Sequence, residues 1–292
     1  MHRIMIIILF IIVTGTWGTT WLAMKIALSS IPPLCATGMR FLLASPLLIS
    51  LAYYTKSPLL FPSGNRLFQL IITIFYFSLP FSLMLYGGLY VNSYISSIIF
   101  ANMPIIVIII SLFLLKKKLY ISQFIGLMIT LLFLLIILIY STCVIHDCQW
   151  KGVFAIIISM ISHAIMYIQC KKNFYNISVL TFNALPSLLS GIILLIIAYF
   201  FENPIIYNFS IKSILATFYL GNVSGVFGIL SYFYLQKKVS VYYASTVFLV
   251  FPFIATSLDY YIFEYNISIY QLLLTIPFIF GLLLTLYPKS KN

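Results

Sequence analysis

Charge is what this sequence has least of. Asp and Glu together number 4, and charged residues make up 7% of 292, against roughly 25% in a soluble domain. So few cannot cover a water-facing surface. A glycine-rich phosphate loop ending in Lys-Ser/Thr is also missing, so the chain does not supply its own ATP hydrolysis. The acids Asp147, Glu202, Asp259 and Glu264 are scattered over separate connections and span ends. They assemble neither the acid–base pair of a membrane-embedded enzyme nor a carboxylate relay for protons or sodium. The four cysteines form no metal pattern. Cys35 and Cys170 sit at span ends, while Cys143 and Cys148 share an outer loop, where a disulfide and two free thiols are both open. No catalytic residue, metal site or cofactor is expected.

What is abundant is apolar: 63% of the chain is hydrophobic. Windows of about 20 residues place spans near 4–28, 34–54, 67–88, 91–114, 119–141, 151–170, 178–201, 211–234, 240–262 and 268–287. The connections between them are short, which leaves no room for a separate soluble domain. With the N-terminus in the cytoplasm, the inner segments carry Arg3, Lys56, Arg66, Lys116, Lys117, Lys118, Lys171, Lys172, Lys237, Lys238, Lys289 and Lys291. The outer loops carry only Lys151 and Lys212. This is the positive-inside asymmetry, with both termini cytoplasmic in the inner (plasma) membrane. Basic residues sorted by membrane side form no single face for nucleic acid. The first run follows a short basic start, as a signal peptide would, but its removal would spoil the charge alternation, so it is read as a retained span.

The chain repeats itself. Tyr86, Tyr94, Ser97, Phe100, Pro104 and Gln123 fall on Tyr234, Tyr242, Ser245, Phe248, Pro252 and Gln271 at one constant offset, and Lys25 falls on Lys171 at a slightly shorter one. Five spans per half make the repeat inverted. The expected fold class is therefore all-α integral membrane, with ten transmembrane helices as two inverted five-helix repeats, residues 1–145 and 146–292. Pro104 and Pro252, mid-span in the fourth helix of each half, remove a backbone donor and free the carbonyls of Phe100 and Phe248. Each is expected to kink its helix as a gate or hinge.

On span one, Trp17, Thr20 and Trp21 recur at helical spacing, and the matching face of span six holds His163 and Tyr167. Together they suggest an amphipathic pocket for small organic solutes, with plain aromatic packing the competing reading. His163 is ionisable and deep in its span, where it either meets substrate or stays neutral and hydrogen-bonded. Tyr86, Asn102, Asn222 and Tyr232 add polar groups that orient a solute or bridge helices. Lys25 and Arg40 are read as charges at the outer mouth, and Asp259 as interfacial.

The ordered set Trp17-Gly18-Thr19-Thr20-Trp21, Lys25, Pro32-Pro33 and Arg40-Phe41 resembles the drug/metabolite transporter superfamily, and within it the EamA-type group. The chain departs from the family pattern at Lys116, where an acid is usual, and at His163, where an aromatic is usual. It keeps Glu264. The resemblance implies a secondary transporter of small metabolites such as amino acids or related amphipathic solutes, exchanging, facilitating or exporting them by alternating access. A channel or a lipid flippase is the alternative. The expected partners are a small-molecule substrate and the lipid bilayer, and a self-contained bundle of this kind can act as a monomer.

Overall fold

The computed structural model describes residues 2–114, 120–144, 149–173, 177–239, 244, 246–263 and 268–286. Lys116, Glu264, the Cys143–Cys148 pairing and the side chain of Lys171 lie outside the described residues. The long helices are α1 (His2–Ala27), α2 (Pro33–Tyr54), α3 (Arg66–Gly88), α4 (Ser93–Leu114), α5 (Ile121–Val144), α6 (Gln149–Asn173), α7 (Val179–Phe201), α8 (Ile211–Leu235), α9 (Val247–Phe263) and α10 (Ile269–Leu286). Among the described residues, nine of them are long and apolar enough to cross a membrane, and α9 is the shorter apolar one. Their starts follow local chemistry. Pro33 opens α2, and the side chains of Asn92, Ser178 and Ser210 accept from the amides of Ile95, Thr181 and Ser213 at the starts of α4, α7 and α8.

Neighbouring helices cross over between the halves. α1 packs on α8 and α9, α6 packs on α3 and α4, α2 pairs with α7, and α5 pairs with α10. Glycine permits several of these contacts. A methyl group on Gly87 would strike Ile156 and the carbonyl of Gly152, and one on Gly221 would strike the carbonyl of Arg40.

Three spans are interrupted. α3 contains a π-helical segment, Thr73–Ser78, and α8 contains another, Tyr219–Phe227. In α3 the cause is visible: Pro80 has no amide proton, so the carbonyls of Phe75 and Tyr76 lose the donor that position would supply. α4 breaks at Asn102, between Ser93–Ala101 and Met103–Leu114, while α9 runs unbroken through Pro252. At the break, the Asn102 amide nitrogen donates back to the carbonyl of Ile98 at 2.8 Å. Val250 stands at the corresponding place before Pro252 and has no such group.

Candidate functional site

One cavity of about 620 Å³ lies in the middle of the bundle, lined by residues of both halves. It descends to Gln123, Thr285 and Leu286, in the first turn of α5 and the last turn of α10. Upward it stops near Trp21 and Met84. Above Trp21, Met24 and Ala27 are fully packed. The cavity therefore opens toward the end of the bundle that holds the start of α1.

Two aromatic clusters form the walls. Trp17 packs on Tyr232 (ring centroids 4.8 Å) and Phe248 (5.7 Å), and the absence of a side chain on Gly228 leaves room for its indole. Opposite, Trp21 meets Phe100 at 5.5 Å, and Phe100 meets His163, which meets Phe81 at 4.8 Å. Phe100 and Phe248, equivalent in the sequence repeat, thus serve one wall each.

The first helix of each half also bonds to the interrupted helix of the other. On α6, Ser159 donates to the carbonyl of Pro80 at 2.8 Å, Ser162 to that of Phe75 at 2.6 Å, and His163 Nε2 to that of Tyr76 at 3.2 Å. A carbonyl can only accept, so the His163 proton sits on Nε2 and Nδ1 is the acceptor side of the ring. On α1, Thr20 bonds Ser224, and Thr19 bonds the hydroxyl of Tyr219 at 2.6 Å, both partners lying in the π-helical segment of α8. On α6 the side chains thereby supply donors to α3 carbonyls in a medium without water, while the α1–α8 bonds join side chain to side chain.

Arg40 is the outlier. It was expected at the outer mouth, but it is the eighth residue of α2, about 10 Å below the helix start, and it lines the central cavity at 4% exposure. Its guanidinium carbon stands 4.5 Å over the Phe81 ring. Nε and Nη1 are buried and donate to nothing among the described residues. A charge at such depth costs about 2.5–3.5 kcal/mol on insertion scales and persists where it faces protein or a cavity.

Of the other sequence-derived positions, Trp17, Thr20, Trp21, Tyr167, Tyr232 and Pro104 line the cavity with His163. Tyr86 does not: it is 38% exposed and accepts from Tyr90. Asn102 is outside the lining, its amide nitrogen bonding its own helix and its buried Oδ1 having no partner among the described residues, and Asn222 donates to the carbonyls of Leu43 (3.3 Å) and Phe218 (3.4 Å), holding α8 on α2. Pro252 borders a separate void of about 20 Å³. Lys25 is also away from the cavity, 3.8 Å from Asp259, which is wholly buried at the start of α4. Sequence reasoning missed Tyr76, Phe81, Ser224 and Phe251 in the lining. Phe and Tyr number 26 and 22 in this chain, so no single one stands out; Pro80 was the one available signal for Tyr76.

The EamA-like transporter family matches the chain twice, over residues 4–139 and 150–287. The chain belongs to that family. It is thus a multi-pass membrane transporter of the drug/metabolite superfamily, with a small-molecule substrate and the bilayer as its surroundings. An uncharacterized transporter of Buchnera aphidicola subsp. Schizaphis graminum is 60% identical, covering 99% of this chain and 96% of that protein. Protein PagO of Salmonella typhimurium is 52% identical, covering 99% and 95%. The uncharacterized transporter YoaV of Bacillus subtilis is 24% identical, covering 83% of each. A crystal structure with 13% sequence identity superposes at a TM-score of 0.69 over 95% of this chain and 94% of that one, a likeness of fold alone.

Proposed function

We propose that this EamA-family chain is a secondary transporter of the bacterial inner membrane that moves small amphipathic metabolites, amino acids or their relatives, by alternating access. Ten spans in two inverted five-helix repeats, with both termini cytoplasmic, provide the moving parts. The observation that carries this reading is the central cavity, walled by both halves, open at one end of the bundle and packed shut at the other. A site reached from one side at a time is what a carrier requires. The π-helical segments of α3 and α8 beside the cavity give each half a deformable element at the same place. The aromatic walls suit the apolar body of a solute, and Thr20, Ser224 and Tyr167 supply neutral polar groups.

Counterflow in proteoliposomes tests this. Vesicles are loaded with labelled amino acids and related metabolites, and efflux is followed as each unlabelled candidate is added outside. Saturable, stereoselective exchange, reduced by Ala at Trp17, Trp21, His163 or Tyr167 and unaffected by Ala at exposed Tyr53, is the expected result. Non-saturating flux would make the protein a channel, and movement of labelled phospholipid without solute exchange would make it a flippase.

A further inference from the structure

Among the described cavity residues Arg40 alone carries a formal charge, and no Asp or Glu lines the space. Described acids are committed elsewhere: Glu202 accepts from the amides of Leu34 and Cys35, and Asp259 from Ser93. Arg40 is 4% exposed, and its Nε and Nη1 are buried without acceptors among the described residues. α8 presses on the Arg40 carbonyl through Gly221, Phe81 lies beneath the charge, and α7 closes on α2 through Gly38 and Gly191. A buried donor fork without a partner is a feature proteins avoid unless something else completes it.

We infer that Arg40 anchors the substrate, and that the substrate carries a single carboxylate on an apolar body. This rests on the carrier reading above and narrows the solute class. A carboxylate matches the planar fork of a guanidinium and neutralises its charge. One cation compensates one negative charge, so a doubly charged phosphate ester would carry an uncompensated charge into a low-dielectric site. The walls of Trp17, Trp21, Phe81 and Phe100 then receive the rest of the molecule, and the Nδ1 acceptor face of His163, near Arg40 across Phe81, takes a donor on it. An amino acid fits this arrangement by its carboxylate end, its ammonium resting over ring faces.

The test compares carboxylates with their uncharged amides: phenylacetate with phenylacetamide, benzoate with benzamide, hexanoate with hexanamide, and phenylalanine with phenylalaninamide. Binding to the purified full chain in detergent is read from tryptophan fluorescence. At least one carboxylate should bind saturably, about tenfold or more tighter than its amide, the difference a charge-assisted pair makes. Arg40→Gln should erase that difference by weakening the carboxylate alone, which loss of a merely structural arginine would not do. Arg40→Lys, retaining charge without the fork, should keep part of it and serves if Arg40→Gln fails to fold. The assignment is overturned if no carboxylate binds, if none outbinds its amide, or if the preference survives Arg40→Gln. Counterflow on the same pairs separates the two readings. Exchange without carboxylate preference would sink the anchor and leave the carrier; Arg40-dependent binding without exchange would do the reverse.

Discussion

Asp259 on α9 accepts from both the backbone amide and the hydroxyl of Ser93 on α4, each at 2.8 Å. The carboxylate sits at the positive end of α4, where a helix favours an anion, and Lys25 of α1 stands 3.8 Å away. Glu202 at the end of α7 does the same for the start of α2, accepting from Leu34 at 2.8 Å and Cys35 at 2.9 Å. Both acids come from the second half, both cap helices of the first, and both lie at the end of the bundle where the cavity is shut.

Removing the Asp259 charge should loosen that end. Asp259→Asn keeps one acceptor for Ser93 but loses the attraction to Lys25 and to the helix start. Half-exposed Lys25 limits the ion-pair share, so a loss of about 1–3 kcal/mol is expected, most of it from the buried hydrogen bonds. Thermal unfolding of the purified protein reads the stability. A cysteine placed at buried Val91, in a background without the native cysteines, should also react faster with an impermeant thiol reagent added from that side. Unchanged unfolding and labelling together would remove Asp259 from the closure.

Span positions and the helical face of Trp17, Thr20 and Trp21 were legible because hydrophobic length and 3.6-residue spacing carry them directly. Arg40 was misplaced, and the helix-capping role of Asp259 was missed, for one reason. A charge near the end of an apolar run reads as an interface anchor, and only packing reveals that Arg40 turns into a cavity and that Asp259 has a helix start to cap. The π-helical segment of α8 left no trace at all, since nothing there corresponds to Pro80. Matching prolines at 104 and 252 suggested matching kinks; α4 breaks at Asn102, two residues before Pro104, whereas Pro252 lies within the continuous run Val247–Phe263.

Pro80→Ala should repair α3 at the expense of transport. It restores an amide proton that can reach the carbonyl of Phe75 or Tyr76, favouring a regular α-helix through Thr73–Ser78. A regular turn rotates Tyr76 relative to Phe81 and takes the Ser162 and His163 bonds away. Unfolding should change little or shift upward while exchange in proteoliposomes falls; full exchange in a folded Pro80→Ala protein would show that the π-helical segment is dispensable.

Gly221→Ala tests the contact that positions Arg40. The added methyl would collide with the Arg40 carbonyl, backbone that cannot swing aside. α8 must move off α2, at an expected cost of about 1–3 kcal/mol for overpacking. Gly15→Ala is the control, because a methyl there meets nothing within 4 Å. Equal melting temperatures for the two variants would mean that α2 and α8 do not need this approach.

His163 separates a hydrogen-bonding role from a packing role. Its Nε2 proton goes to the carbonyl that Pro80 strips of a donor, while the ring touches Phe81, Tyr76 and Phe100. His163→Gln places an amide donor near the Nε2 position but removes the ring; His163→Phe keeps a ring and removes the donor. If the bond governs, Gln should stay within about 1 kcal/mol of the wild type and Phe should lose about 1–3 kcal/mol, the penalty for a buried carbonyl left unsatisfied. Denaturant unfolding of both variants gives the order, and the reverse order would show that α6 is held on α3 by aromatic contact, with the Tyr76 carbonyl finding its donor elsewhere.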